Sequence, residues 1–304
     1  ALFLEDNIAL NSQSSLRFSA SVSNHFNKVA NLLGLESLMI FYPNMKESKN
    51  RILKSISSNY TFDKDGFQYG FGLAYGERAP SVSEGYGFYL FNSFDRYDYI
   101  GNPELRNEKS AEANAFVGYK TKKISAKISS SYFRISDYIV GKPAQNLIPM
   151  TIGASGIKIY TALEYATMFN TDLNVEYQLD TNFKWSGQLV YSYGQDYNKE
   201  NLPFISPLRY SSSLHYRLNK FATEIAVQGN AVQTQYSPFY GYDRTPDYAV
   251  LNFASSYSLL IDKSRWNVKA GVDNVLDTYY STFSDWNNIP RKGRNFFLHI
   301  GFAF

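Results

Sequence analysis

Apolar and polar residues alternate at every second position through much of this chain. The clearest case is the C-terminal segment R-N-F-F-L-H-I-G-F-A-F, from Arg294 to Phe304. Its apolar side chains at positions 296, 298, 300, 302 and 304 fall on one face of an extended strand, because side chains alternate across a strand. The opposite face carries a mixture of polar, aromatic and small residues. A strand with one wholly apolar face, ending on phenylalanine, is typical of a barrel with lipid outside and water inside.

The same pattern recurs upstream. Clean examples are F-Q-Y-G-F-G-L-A-Y, from Phe67 to Tyr75, and L-R-Y-S-S-S-L-H-Y-R-L, from Leu208 to Leu218. The segment from Ile52 to Phe62 alternates more weakly, and the opening ten residues alternate poorly. Counting the segments that fit this template predicts about thirteen strands.

The predicted connections are alternately short and long. Short turns are predicted at residues 11–14, 63–66, 120–123, 180–182, 219–220 and 262–264, and long segments at residues 25–50, 76–107, 136–163, 194–207, 235–246 and 277–294. Antiparallel outer-membrane barrels alternate in this way, with short periplasmic turns and long extracellular loops. A soluble β-sandwich does not usually gather all its long loops at one end. The sequence therefore predicts an all-β fold, a transmembrane antiparallel β-barrel.

Composition agrees with that fold class. The 304 residues include 26 Tyr, 23 Phe and 3 Trp, which make up 17% of the chain. Aromatic girdles at the two membrane interfaces use such residues. The net charge of +3 is too small to favour nucleic-acid binding, and the absence of cysteine removes disulfide and thiolate–metal schemes.

The odd number of predicted strands indicates part of a larger barrel. Single-chain bacterial barrels have an even number of strands. If the last strand ends in the periplasm, counting back thirteen strands places Ala1 at the outer end of the first strand. We therefore expect a fragment that starts just after an extracellular loop, where nicking is common. Unpaired strand edges are costly in lipid, so another chain or segment is expected to complete the cylinder.

Three segments of the chain carry more specific information. They are G-L-A-Y-G-E-R-A-P-S-V-S-E-G-Y (Gly72–Tyr86), I-G-N-P-E-L-R-N-E-K-S (Ile100–Ser110), and D-N-V-L-D-T-Y-Y (Asp273–Tyr280) followed by P-R-K-G-R-N-F-F (Pro290–Phe297). In this order and spacing they resemble motifs of TonB-dependent outer-membrane receptors. Each motif alone is weak, whereas the ordered set with a terminal phenylalanine is specific, and the resemblance covers essentially the whole chain.

This resemblance implies a place in a larger protein. Residues 1–304 would be the C-terminal portion of a receptor barrel domain of about 22 strands, with the plug domain and the N-terminal strands absent from this chain. The implied location is the bacterial outer membrane. The implied partners are the TonB energy-coupling complex, reached through the missing N-terminal part, the remaining strands and plug, outer-membrane lipid and a small-molecule metal chelate. Neither a cofactor nor a nucleic-acid partner is implied.

The implied function is active import of a scarce nutrient, most often an iron–siderophore complex. Haem, cobalamin or copper uptake are alternatives. Another is a structural or assembly role, in which a receptor-like barrel is a partner in an outer-membrane protein complex.

The long segment at residues 76–107 is the best candidate for a ligand site. Aromatic rings with a few charges suit a partly apolar chelate bound at a barrel mouth. The alternative is that the same residues pack the loop against its neighbours. We expect Arg78 to pair with a carboxylate in the lumen or at the loop base. The candidate ligand residues are Arg78, Glu84, Tyr86, Tyr89, Arg96, Tyr97 and Tyr99.

Other chemistries find less support. Haem receptors that resemble this chain place a histidine between the first two motifs, and none is found there. His25, Met39, Met45 and Met150 lie in or near long loops, and soft thioethers suit cuprous ion, but their spacing matches no ligand motif. The chain has no G-x-S-x-G, H-E-x-x-H or phosphate-binding glycine loop. No enzyme, catalytic residue or metal ligand is therefore predicted.

Overall fold

The computed structural model describes residues 1–241, 244–261, 264–285 and 289–303, and within them the chain is mostly β-strand. The strands are β1 (Leu2–Ala9), β2 (Ser14–Lys28), β3 (Ser48–Lys64), β4 (Phe67–Arg78), β5 (Leu90–Asn92), β6 (Tyr97–Ile100), β7 (Glu108–Lys120), β8 (Ile124–Pro143), β9 (Gly156–Gln178), β10 (Phe183–Asp196), β11 (Arg209–Leu218), β12 (Phe221–Asn230), β13 (Tyr248–Ile261), β14 (Ser264–Asp273) and β15 (Asn295–Ala303). The helices are α1 (Leu32–Met39), α2 (Val82–Tyr86) and a 3-10 turn at Pro238–Tyr240. No helix in these described ranges is long and apolar enough to cross a membrane.

One antiparallel sheet contains all the long strands. Its order is β1-β2-β3-β4-β7-β8-β9-β10-β11-β12-β13-β14-β15, and β5 and β6 lie off this path. The prediction of an antiparallel barrel wall with about thirteen strands is confirmed. In the described part of the chain, β1 and β15 do not pair with each other, so the wall is not closed, as in a partial barrel. Which segment covers these two edges stays a prediction.

The apolar stripes face away from the protein. On β15, Phe296, Leu298, Ile300 and Phe302 are 75%, 63%, 59% and 61% exposed. In a β-sandwich these side chains would be buried against a second sheet. Here they form a continuous outer surface with the exposed stripes of neighbouring strands, and this arrangement excludes the sandwich.

The loops alternate as predicted, with all the long ones at the same end of the sheet. The long connections are residues 29–47, 79–107, 144–155, 197–208, 231–247 and 274–294, and the short ones are residues 10–13, 65–66, 121–123, 179–182 and 219–220. The remaining short turn was predicted at residues 262–264, and its first two residues lie outside the described residues. We call the end that carries the long connections the loop end.

The loop predicted at residues 136–163 is shorter in the structure. β8 and β9 continue to pair as far as Pro143 opposite Lys158, so the connection is only residues 144–155. At Asp137 the backbone φ is 54°, a local break in the ladder, after which pairing resumes at Tyr138 opposite Leu163. The two strands therefore project beyond their neighbours and support the loops.

The main hydrophobic core lies at the loop end, against this projection. Its buried members are Val140, Leu163, Ala166, Leu202, Ile205 and Tyr240. They come from β8, β9 and the connections at residues 197–208 and 231–247. This cluster fixes the positions of several long loops relative to the barrel wall.

Candidate ligand site at the loop end

The loop at residues 79–107 begins with a capped helix. Ser81 Oγ accepts from the N–H of Glu84 at 3.2 Å, and a Glu84 carboxylate oxygen accepts from the N–H of Ser81 at 2.6 Å. This reciprocal pair satisfies two N–H groups at the start of α2, as in the capping box. The sequence S-V-S-E therefore starts a short helix soon after β4 ends at Arg78, and the chain leaves the barrel wall there.

Arg78 connects this helix to the barrel wall. Its Nη1 and Nη2 donate to the two carboxylate oxygens of Glu84 at 2.7 and 3.0 Å, and its Nε donates to Glu108 Oε2 at 2.6 Å. The other oxygen of Glu108 accepts from the N–H of Ile139 at 2.6 Å. Although burial alone would raise the pKa of Glu84, the hydrogen bonds from Arg78 and Ser81 lower it overall. The expected carboxylate partner of Arg78 at the loop base is confirmed.

The middle of the loop is joined to the wall by hydrogen bonds. β5 and β6 form a small hairpin, and β6 pairs in parallel with the start of β9. The Asp98 carboxylate accepts from the N–H groups of Met150 and Thr151, each at 2.8 Å. The hairpin therefore also holds the neighbouring loop at residues 144–155.

A buried ion pair stabilises the tip of this hairpin. Lys158 Nζ lies 2.6 Å from Asp95 Oδ2, and both side chains are at most 1% exposed. Tyr99 donates its hydroxyl proton to the same oxygen at 2.6 Å, and the ring of Tyr97 lies 4.3 Å from Lys158 Nζ. Burial, followed by the negative charge of Asp95, raises the pKa of Tyr99 well above its usual range. The aromatic residues at this point are thus part of a closely packed polar network.

Two further loops are fixed to each other in a similar way. The Tyr240 hydroxyl donates to Asp196 Oδ2 at 2.6 Å, and Asp196 Oδ1 accepts from the N–H groups of Asn198 and Glu200. Burial and the hydrogen bond to Asp196 raise the pKa of Tyr240 well above its usual range. Gly241 ends the 3-10 turn with a φ of 70°, and a Cβ there would come within 2.8 Å of the Tyr97 hydroxyl. The loop at residues 231–247 is therefore packed directly against the β5–β6 hairpin.

A cavity of about 460 Å³ lies between these loops. Its size is within the 300–1,000 Å³ range typical of small-molecule pockets. Five long connections contribute to its wall, namely those at residues 79–107, 144–155, 197–208, 231–247 and 274–294. The aromatic lining residues are Phe94, Tyr97, Phe204, Tyr236 and Phe283, and the amide and charged ones are Gln233, Gln235, Asp95, Arg96, Arg244 and Asp285.

The charges that line the cavity are unequally neutralised. Asp95 is paired with Lys158, and Asp285 is paired with Arg291 through two guanidinium contacts. Burial raises the pKa of Asp285, but the hydrogen bonds from Arg291 and Thr282 lower it overall. By contrast, the Arg96 side chain donates, within the described residues, only to the carbonyl oxygen of Gly153 at 3.1 Å.

Arg244 is solvent-exposed and makes no hydrogen bond or ion pair with the described residues. The cavity therefore has two guanidinium groups that no carboxylate among the described residues neutralises, and we expect it to attract anions.

Polar groups of the wall are held in place. Gln233 is buried, and its amide nitrogen donates to the carbonyl oxygen of Ile205 at 3.0 Å. Its amide oxygen accepts from the N–H of Gln235 at 3.0 Å, and the Gln235 amide oxygen accepts from the Tyr191 hydroxyl at 3.4 Å. These amides are oriented before any ligand arrives, which lowers the entropic cost of binding.

The structure places the seven candidate ligand residues in different surroundings. Arg96 and Tyr97 line the cavity. Arg78 and Glu84 lie in the ion network at the loop base, and Tyr99 lies in the buried network around Asp95.

The other two candidates pack within the same loop. The Tyr86 hydroxyl is buried without a hydrogen-bond partner among the described residues. The Tyr89 ring packs 5.0 Å from that of Phe88.

Several cavity residues were not anticipated from the sequence. Gln233, Gln235, Arg244 and Phe283 come from connections far along the chain from residues 76–107. The available signal was their membership of long connections, which the alternating pattern already placed at one end of the barrel. In the described ranges, no group of three or more His, Cys, Asp or Glu side chains could hold a metal ion.

Comparison with known proteins identifies the family. A family model described as "TonB dependent receptor-like, beta-barrel" matches residues 1–275. The chain belongs to the TonB-dependent receptor family. Proteins of this family are outer-membrane transporters or receptors rather than enzymes. The search of curated proteins found no match.

Solved structures of TonB-dependent receptors share the fold. The copper transporter OprC superposes with a TM-score of 0.82 at 19% identity, over 99% of this chain and 46% of that one. The siderophore receptor PirA from Pseudomonas aeruginosa gives 0.65 at 15% identity, over 99% and 48%. The FrpB iron transporter from Neisseria meningitidis (F5-1 variant) gives 0.61 at 14% identity, over 98% and 54%. This chain therefore spans about half the length of these receptors, and the likeness shows the fold alone.

The receptor fold gives the sequence motifs a physical meaning. Arg78 and Glu84 belong to the first motif, and Glu108 belongs to the second. They meet in one ion network, so the two motifs are the two ends of a single loop base. The network positions the start and the end of the connection that carries the β5–β6 hairpin.

Proposed function

We propose that this chain is the C-terminal portion of the barrel domain of a TonB-dependent importer in the bacterial outer membrane, and that its loop-end cavity binds an anionic iron–siderophore complex. A plug domain and the remaining strands complete the barrel, and the TonB energy-coupling complex acts through the N-terminal part of the receptor. These partners follow from membership of the family.

The observation that supports this ligand class is the chemistry of the cavity wall. Aromatic rings surround two guanidinium groups, Arg96 and Arg244, which have no carboxylate partner in the part of the chain that the structure describes, beside the fixed amides of Gln233 and Gln235. Iron chelates are often anionic and partly aromatic, so rings can stack on them while guanidinium and amide groups donate hydrogen bonds. Siderophore and iron receptors also occur among the proteins with this fold.

The copper alternative predicts a different wall. Cuprous ion prefers thioether, thiolate and imidazole ligands. Among the described residues that line the cavity, none is methionine or histidine. Met150 is 69% exposed on the connection at residues 144–155, outside the cavity lining. The cavity thus favours a hard, anionic chelate over a bare soft cation.

Binding to the purified whole receptor tests this proposal. A panel of ferric catecholate, hydroxamate and carboxylate siderophores is titrated. Cuprous ion, haem and cobalamin are titrated separately as the alternative ligands. We expect at least one ferric siderophore to bind, and Arg244→Ala to weaken it roughly tenfold or more, because a charge-assisted hydrogen bond contributes about 1.5–3 kcal/mol.

Arg106→Ala is the matched control. Arg106 is exposed on the same side of the protein but does not line the cavity, so its loss should change the dissociation constant less than about twofold. Tight cuprous binding without any siderophore binding would contradict the proposal. So would equal effects of the two arginine variants. Recovery of the receptor only as a stable complex with other outer-membrane proteins, with no ligand bound, would favour the assembly role instead.

A further inference from the structure

Four polar side chains share the inner face of β2 and β3 near the loop end. His25 is the register partner of Arg51, and Asn27 is the register partner of Lys49. Directly paired residues on antiparallel strands point to the same face, with Cβ atoms roughly 4.5–5.5 Å apart. Phe26, between the two β2 residues, is 61% exposed on the outer face, so the four polar residues point inward. We call them the β2–β3 polar cluster.

A segment of the loop at residues 79–107 covers this cluster. Lys49 Nζ donates to the carbonyl oxygens of Pro103 and Leu105 at 3.1 and 3.0 Å. Arg51 Nη2 donates to the same Leu105 oxygen at 3.3 Å. Leu105 itself is 3% exposed. The covering segment therefore removes most of Arg51 from water, and the groups that accept hydrogen bonds from Lys49 and Arg51 there are neutral carbonyl oxygens.

The cluster has more buried donors than partners. Arg51 is only 6% exposed, and its Nε and Nη1 have no hydrogen-bond partner in the described part of the protein. The same is true of Asn27 Nδ2 and His25 Nε2, which are also buried. Buried polar groups are almost always satisfied, and leaving a guanidinium N–H unpaired is among the more costly exceptions.

Lys49 and Arg51 also lack an ion-pair partner among the described residues, since neither has a carboxylate oxygen within 4.0 Å. Glu104 lies on the covering segment but is solvent-exposed and forms no ion pair in that set. A buried cation without a counter-charge is strongly disfavoured. The site is therefore built for a group that is small, negatively charged and able to accept several hydrogen bonds.

We infer that the β2–β3 polar cluster is an anion-binding site, distinct from the loop-end cavity, that holds one carboxylate-sized anion against Arg51. A carboxylate accepts from several donors at once, and it would accept from the N–H groups of Arg51 and Asn27, with His25 adding a third donor in the tautomer that carries its proton on Nε2. The same chemistry has two possible sources: a free anion from solution, or an aspartate or glutamate of another segment of the complete receptor.

Crystals of the whole receptor soaked in sodium bromide distinguish these sources. Bromide at hydrogen-bond distance from Arg51 Nε or Nη1 identifies a free-anion site. An aspartate or glutamate side chain in the same place identifies a protein carboxylate, and replacing that residue by its amide should then admit bromide. Either result supports the inference. Finding only water or apolar side chains around these two nitrogens would overturn it.

Variants make the test specific. The electron-density peak for bromide, or for the bound carboxylate, should be lost in Arg51→Met and retained in Arg106→Met. Arg106 is the matched control because it is exposed just beyond the covering segment. Arg51→Lys keeps the positive charge and is the control in case the methionine variant does not fold. It should retain a weaker peak, and complete loss of the anion in this variant despite an unchanged fold would count against a charge-based site.

Discussion

The buried Lys158–Asp95 pair offers the sharpest test of how the loop end is stabilised. Lys158→Met keeps most of the side-chain volume but removes the charge, which leaves Asp95 buried with the hydroxyl of Tyr99 and the N–H of Tyr97 as its remaining partners. Breaking a buried ion pair on one side costs about 3–5 kcal/mol, because the other charge stays uncompensated. Because the Tyr99 hydroxyl still donates to Asp95, we expect a loss in the lower half of that range, about 3–4 kcal/mol.

The chain provides a matched control on its surface. Lys28 and Glu47 form an ion pair at 3.0 Å, but each side chain is 54% exposed. Water solvates both charges there, so Lys28→Met should cost at most about 1 kcal/mol. Both substitutions remove an ammonium group from a contact with a carboxylate, but Lys158 is buried and also lies over the ring of Tyr97. The comparison therefore measures what burial and the surrounding aromatic network add to an ion pair.

Hydrogen exchange of the whole receptor, read by mass spectrometry on peptides from residues 90–100, measures local opening. A loss of 3–4 kcal/mol in the Lys158→Met variant should speed exchange roughly 100- to 1,000-fold, since 1.4 kcal/mol is a factor of ten. Adding Asp95→Leu should restore much of the protection, because no buried charge then remains. Equal, small changes from Lys158→Met and Lys28→Met would refute the assignment of stability to this buried pair.

Three further outcomes follow from other contacts. Because folding lowers the pKa of Glu84, the stability that its carboxylate contributes is complete above the unfolded pKa near 4.5 and is lost as the pH falls through the folded pKa. Amide hydrogen exchange in residues 79–90 should therefore accelerate over that acidic range. Glu84→Gln should abolish this pH dependence. Leu189→Arg, on the outer face of β10, should destabilise the barrel by about 2–4 kcal/mol in reversible unfolding in lipid, whereas Gln188→Arg on the inner face should cost far less. Tyr240→Phe removes the hydroxyl donor to Asp196 Oδ2, while Oδ1 keeps its two N–H donors, and the loss should cost about 1–3 kcal/mol of local stability, measured by protease cleavage of residues 231–247.

The ion network at the loop base connects the motifs with the cavity. Arg78 is held by Glu84 and Glu108, and the hairpin that follows carries Arg96 and Tyr97 to the cavity wall. A substitution at this base would therefore disturb ligand binding without touching the ligand. Mutational loss of uptake at Arg78 would be a positioning effect, and it should raise the dissociation constants of different ligands by a similar factor.

Much of the wall could be predicted from the sequence alone. The period-two pattern depends only on the geometry of an extended chain, so the outer position of Phe296 and the inner position of Asn295 follow from their spacing. The alternation of short and long connections placed the long loops at one end. The odd number of strands, which suggested part of a larger barrel, agrees with the unpaired edges of β1 and β15.

The tertiary structure alone decided the site. Arg96 and Arg244 are far apart in sequence, and they line one cavity because the curved wall brings successive long loops around one opening. Lys158 lies in a segment that the sequence assigned to a loop, yet it is buried because the β5–β6 hairpin pairs with β9 and covers it. Strand faces are set by each residue's own neighbours along the chain, whereas the burial of a loop side chain depends on which distant segment packs over it.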